Sequence, residues 1–251
     1  MEDKKALKIG VLSGGFSRER EVSLRSGRNV CQALSKKGYT VLNLDPVYDD
    51  LLSHQVDIVF NVLHGAYGED GGIQSFLDLH NIKYTGSGVR SSVIGMNKLL
   101  TKQLLFENNL STPSFIIAAS TSDVPTFNFP YILKPISEGS SVGVYVVETE
   151  KDYLHYLKLL LEQYGTCLVE EYISGQEVTV GILDKGSESI ALPILELQPK
   201  NKFYDYEAKY TAGMTEFILP ARLSDSVTQD CKKLALDIYK MVGCKSFARV
   251  D

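Results

Sequence analysis

Short apolar runs alternate with amphipathic stretches through the first third of the chain, a pattern that predicts a parallel sheet flanked by helices. Residues 7–13, Leu-Lys-Ile-Gly-Val-Leu-Ser, read as a buried strand; Gly14 and Gly15 then turn the chain into a helix over 21–37 that Gly38 closes. Residues 39–45 and 56–63 read as the next strands. His-Gly-Ala-Tyr-Gly-Glu-Asp-Gly-Gly at 64–72 is a loop at a strand's carboxyl end, and 73–80 reads as helix. Open α/β sheets bind ligands along that edge. No Gly-x-Gly-x-x-Gly follows the first strand and no Gly-x4-Gly-Lys-Ser/Thr occurs, which argues against a dinucleotide fold and a P-loop.

A boundary is expected at 85–88, Thr-Gly-Ser-Gly, followed by a helix over 97–109 that Ser-Thr-Pro at 111–113 stops. Beyond it the pattern changes. Strands at 130–134, 142–148, 166–171 and 177–183, with one helix at 151–164, predict an α+β unit around an antiparallel sheet. A strand at 190–197 leads to an aromatic and charged loop at 203–210, a helix at 226–242 and a last strand at 246–251.

Chemistry enters at Lys134-Pro-Ile-Ser-Glu-Gly-Ser-Ser-Val-Gly143, where an apolar strand ends in a lysine and opens into a loop of small residues. Such a loop lets backbone N–H groups and hydroxyls close over phosphate oxygens while the lysine neutralises them. A nucleoside triphosphate is the ligand this suggests. The 251 residues, 44% hydrophobic, exceed the usual size of one domain. Lysine and arginine number 26 against 31 acidic residues, so a net charge of −5 disfavours nucleic acid as a partner. The four cysteines show neither a zinc spacing nor a dense disulfide pattern and are expected as reduced thiols. With no long apolar run at the start or elsewhere, the chain is expected to be cytoplasmic and not membrane-bound.

Six segments together resemble the D-alanine–D-alanine ligase family of the ATP-grasp superfamily. They are Gly-Gly-Phe-Ser-Arg-Glu-Arg-Glu-Val-Ser (14–23), His-Gly-Ala-Tyr-Gly-Glu-Asp-Gly (64–71), Tyr-Thr-Gly-Ser-Gly (84–88), Leu-Lys-Pro with Glu-Gly-Ser-Ser-Val-Gly (133–143), Phe-Tyr-Asp-Tyr-Glu-Ala-Lys-Tyr (203–210) and Arg-Val-Asp (249–251). The resemblance implies an α/β, Rossmann-like, substrate-binding domain at 1–92. An ATP-grasp fold of two α+β subdomains, at 93–177 and 178–251, would follow, the last of them incomplete.

The resemblance also implies roles. Lys98 and Lys134 would contact ATP, together with Glu138, Gly139, Ser140 and Ser141 of the loop. Glu170, Glu171 and Ile173 would line the adenine pocket, Glu177 would hold the ribose hydroxyls and Lys209 would meet the γ-phosphate. Glu19 would hold the ammonium of the first D-alanine, with His64 near the same substrate. Ser140 and Tyr210 would join Glu19 in a hydrogen-bonded triad that locks a mobile loop. Arg249 would stabilise the oxyanion, and Asp251 would bind magnesium, or manganese in its place. Tyr210 in Glu-Ala-Lys-Tyr resembles the dipeptide-forming branch more than the branch that uses D-lactate.

The implied reaction joins two D-alanine molecules through an acyl phosphate at the cost of ATP, in a homodimer. The family's further magnesium ligands would lie beyond Asp251, so the sequence predicts a truncated chain of weak or no activity, whose last strand lacks its pairing neighbour. Another ATP-grasp carboxylate–amine ligase, or a nucleotide-binding form without turnover, are the alternative readings.

Overall fold

A computed structural model of the chain describes residues 7–200, 211 and 213–251. Its contacts divide into two compact units, residues 1–93 with 242–248, and residues 94–241 with 249–251.

The first unit holds four parallel strands, β1 (Lys8–Leu12), β2 (Thr40–Leu44), β3 (Ile58–Asn61) and β4 (Lys83–Tyr84), in the order β2-β1-β3-β4. β1 is apolar almost throughout because a central parallel strand is covered on both faces. Helix α1 (Arg20–Lys36) links β1 to β2, and α2 (Gly72–Leu79) links β3 to β4. Gly27 lets α1 lie close to the sheet: a Cβ there would stand 2.4 Å from that of Ser13. The chain leaves β1 toward β2 and resumes at β3 on the other side, so the order reverses between β1 and β3. Ligands of open α/β sheets sit at such a reversal, beyond the carboxyl ends of the strands. The 14–19 and 64–72 segments follow those two strand ends. Leu12, Leu44, Val59, Ile73 and Leu77 form the core beneath them.

Helix α3 (Val89–Met96) leads out of this unit, and α4 (Lys98–Glu107) opens the second. Asn97 caps α4 by accepting from the Leu100 amide at 3.0 Å, and the Lys98 amide donates to the Ile136 carbonyl at 2.9 Å. The start of α4 is thereby fixed beside the loop that follows Lys134. A four-stranded antiparallel sheet comprises β5 (Phe115–Ala118), β6 (Tyr131–Lys134), β7 (Tyr145–Val147) and β8 (Cys167–Glu171), in the order β5-β8-β6-β7. Helix α5 (Glu150–Tyr164) starts at the Thr149 cap and buries Tyr153, Leu157 and Leu160, one helical stripe, against it.

A second sheet contains β9 (Glu177–Lys185), β10 (Glu188–Ala191), β11 (Leu195–Pro199), β12 (Thr215–Ile218) and β13 (Phe247–Val250). Helix α6 (Asp225–Val242) buries Ala235, Tyr239 and Val242 at helical spacing.

Three readings of the sequence change here. The strand expected at 190–197 is two strands: residues 192–194 interrupt it, so that between Ala191↔Ile182 and Leu195↔Thr179 four steps along the chain oppose three along β9. The strand expected at 142–148 begins only at Tyr145, because the residues before it form turns. The last strand does have a neighbour: β13 pairs with β9. Among the described residues no helix is long and apolar enough to cross a membrane.

Candidate active site

In the first unit, Ser23 on α1 joins the segments that follow β1 and β3. It accepts from the Gly14 amide at 2.9 Å and donates to the Val62 carbonyl at 2.6 Å. Asp70 shapes the second loop by accepting from the amides of Tyr67 at 2.8 Å and Gly72 at 2.9 Å. Glu19 sits at the α1 N-cap, where the helix dipole favours its charge. Its carboxylate lies against Gly65, close enough that a Cβ there would be 3.3 Å from Glu19 Oε2. The expected pair, Glu19 and His64, is therefore brought together.

His64 Nδ1 stands 3.6 Å from Glu69 Oε1. The Glu69 carboxylate raises the imidazole pKa above its ordinary value; burial opposes this, and the charges of Glu69 and Glu19 add to it. Among the described residues, His64 Nε2 is buried without a hydrogen-bond partner.

In the second unit a cavity of about 880 Å³ opens between the two antiparallel sheets. Ten predicted residues line it: Lys98, Lys134, Glu138, Gly139, Ser140, Ser141, Ile173, Glu177, Arg249 and Asp251. Ile132 and Val146, a cross-strand pair of β6 and β7, give it an apolar wall beside Val144. The cavity thus offers both apolar side chains and the cations Lys98 and Lys134.

The loop after β6 takes unusual backbone conformations. Ser140 and Ser141 are left-handed, at φ 50° and 60°, and Gly143 follows at φ 69°. Non-glycine residues seldom adopt this region, and where they do the strain concentrates at ligand clamps. Gly143 is required as glycine: a Cβ would meet Pro135 Cγ at 2.9 Å. Lys98 Nζ donates to the Glu138 carbonyl at 2.5 Å, so the lysine from α4 and the loop meet.

Two predicted residues lie elsewhere. Glu170 and Glu171 are not in the cavity wall; Glu170 is 5% exposed and pairs with Lys134 and, at 2.6 Å, with Lys102. Lys209 and Tyr210 fall outside the described residues.

Reasoning from sequence missed Lys102, and also Glu196 and Arg222, which do line the cavity. Arg222 donates to both Glu196 oxygens, Nη2 to Oε1 at 2.5 Å and Nε to Oε2 at 3.1 Å. Nothing in the local pattern marked these charges, since each depends on a distant partner.

The Arg249 guanidinium holds the Asp251 carboxylate, Nε to Oδ1 at 2.9 Å and Nη2 to Oδ2 at 3.1 Å. Among the described residues no group of three histidine, cysteine or acidic side chains is placed to hold a metal. Asp251 is thus a single carboxylate, both oxygens held by Arg249, in the wall of a cavity that Lys98 and Lys134 also line; magnesium commonly takes one or two carboxylates plus phosphate oxygens.

A parallel-sheet unit and two antiparallel sheets around a cation-lined cavity define the ATP-grasp class of fold. Two family models match: D-ala D-ala ligase N-terminus over residues 43–87 and D-ala D-ala ligase C-terminus over 109–251. The D-alanine–D-alanine ligase of Thermotoga petrophila is 45% identical over 250 residues, covering 98% of this chain and 82% of that protein. Among solved structures, a D-alanine–D-alanine ligase from Bacillus anthracis is similar at a TM-score of 0.83 and 32% identity, over 98% of this chain and 82% of that one. A structure of a ligase from the same organism complexed with ATP gives a TM-score of 0.82 at 29% identity, over 98% and 81%. The chain belongs to the D-alanine–D-alanine ligase family.

Proposed function

We propose that this chain joins two D-alanine molecules into D-alanyl-D-alanine, converting ATP to ADP and phosphate, as a step in making peptidoglycan precursors. The observation that carries the reading is the convergence of Lys98, Lys134 and the left-handed Ser140–Ser141 turn on one cavity, in a chain of this family.

In the first step a carboxylate oxygen of one D-alanine attacks the γ-phosphorus of ATP. The bond to the β,γ-bridging oxygen breaks, ADP leaves, and an acyl phosphate forms. Lys98 and Lys134 act as point cations on the phosphates, and the loop amides and serine hydroxyls orient them. Magnesium bound at Asp251 would offset further phosphate charge. In the second step the free amine of another D-alanine attacks the acyl carbon and phosphate departs, while the Arg249 guanidinium stabilises the oxyanion that develops. Nothing covalent to the protein is needed, so orientation of two small substrates supplies much of the acceleration.

Glu19, with His64 beside it, is assigned to the first D-alanine: a carboxylate for its ammonium, with the imidazole near the same substrate. Ile173 and Glu177 are assigned to adenine and ribose. Glu170 and Glu171 would act near the base only through the strand that carries them. Lys209 for the γ-phosphate, and Tyr210 with Ser140 and Glu19 as a closing triad, rest on the family resemblance. That resemblance likewise supports a cytoplasmic homodimer joined through residues 1–92.

The test measures ADP release with ATP, magnesium and D-alanine against a panel of other amino acids and D-lactate. Release that depends on D-alanine, with dipeptide formed in equal amount, is expected. ADP release driven by a different acid and amine would overturn the substrate assignment, and an AMP-PNP soak showing nucleotide outside the Lys98–Lys134 cavity would overturn the site.

A further inference from the structure

Behind Lys134 lies a lysine outside the cavity wall. Lys102, one helical turn after Lys98 on α4, is 4% exposed. Its ammonium meets three acceptors, Glu170 Oε1 at 2.6 Å, Thr112 Oγ1 at 2.6 Å and the Pro113 carbonyl at 3.0 Å. An ammonium has three donors, so Lys102 keeps none for a ligand. The face of Phe115 also lies 4.8 Å from its nitrogen.

Glu170 is held just as firmly. It sits on the strand between β5 and β6, opposite Phe115 on one side and Ile132 on the other, and its second oxygen pairs with Lys134. Lys102, Glu170 and Lys134 thus form one bridge: an anchored inner cation, a shared carboxylate, and an outer cation that reaches the cavity.

Sharing decides what Lys134 can do. A buried carboxylate facing Lys134 alone would cancel its charge and draw it away from phosphate. With a second cation on the same carboxylate, the bridge keeps a net positive charge, and its exposed end is Lys134.

The geometry points to Lys102 as a positioning residue for nucleotide binding, one that holds Glu170 from behind so that Lys134 stays placed and retains charge for the phosphates. The inference rests on the reading that this cavity takes ATP.

Lys102→Met keeps the stem and removes the charge. Calorimetry with AMP-PNP should show about tenfold weaker binding by this variant, and Lys102→Arg should recover part of the loss. In a Lys134→Met background, Lys102→Met should cost no further affinity, because its effect passes through Lys134. A merely structural lysine would weaken binding by the same factor in both backgrounds. Where Lys102→Met does not fold, Thr112→Val loosens the inner anchor with every charge kept, and about threefold weaker binding is expected. Unchanged affinity in folded Lys102→Met, or in Thr112→Val where that variant stands in, overturns the inference, as do equal losses in both backgrounds. Absence of AMP-PNP binding by the unaltered protein overturns the ATP reading itself.

Discussion

The Arg20 guanidinium clasps the Asp45 carboxylate, with Nη2 2.5 Å from Oδ2 and Nη1 3.2 Å from Oδ1. Between them they also hold Gly15, whose carbonyl accepts from Arg20 at 2.9 Å and whose amide donates to Asp45 at 3.1 Å. The turn that leads to Glu19 is therefore fixed by a partner from the end of β2.

Asp45→Ala should release that turn and misplace Glu19. The expected result is a KM for D-alanine raised by about tenfold with AMP-PNP affinity within about twofold of the unaltered protein. Steady-state kinetics with calorimetry checks both values, and an equal loss of nucleotide affinity would refute the assignment of this loop to D-alanine.

Lys134 and Arg249 should separate binding from turnover. Lys134→Ala is expected to weaken ATP by about tenfold to a hundredfold, the range for a charged hydrogen bond. Arg249→Ala should raise the barrier to turnover by about 3–4 kcal/mol with little change in ATP affinity. Equal losses of both quantities in both variants would dissolve the distinction.

His64 should titrate above the ordinary histidine value of 6.5, because the Glu69 carboxylate favours the imidazolium. A raised folded-state pKa contributes stability that is fully present below 6.5 and is lost as pH rises through the raised value. An NMR titration of the imidazole checks this. Glu69→Gln should lower the midpoint, and a midpoint unmoved by that change would show that Glu69 is not its cause.

Glu196 titrates at about 2, against an ordinary 4.5, because the side chain and amide of Arg222 bond its charged form, with burial opposing them. A lowered carboxyl pKa contributes stability above its ordinary value and loses it as pH falls toward the folded one. Thermal unfolding followed from about pH 5 down to about pH 2 should therefore show a shallower acid slope in Glu196→Gln. Slopes that coincide would mean the pair contributes nothing to folding.

Much of the molecule was legible in the residues. Strands β1 and β3, helices α1, α5 and α6, and the glycine loops all announce themselves through local periods and turn residues. Short elements did not: β4, β5, β12 and α3 are too brief to carry a full period, and their neighbours stabilise them. Ten of the predicted site residues reached one cavity, seven of them because Lys134 with the loop after β6 and the Arg249–Asp251 segment are contiguous runs.

By itself the sequence determined the longer elements, since hydrophobic period and turn residues are encoded within a few neighbouring positions, and its six motif segments pointed to the family. The tertiary structure alone decided which charges lie inside. It put Glu170 behind the cavity between two lysines, tied Glu196 to Arg222, and gave β13 its place along β9. A buried charge is stable only where a distant segment supplies its counterion, and no local pattern records which segment that will be.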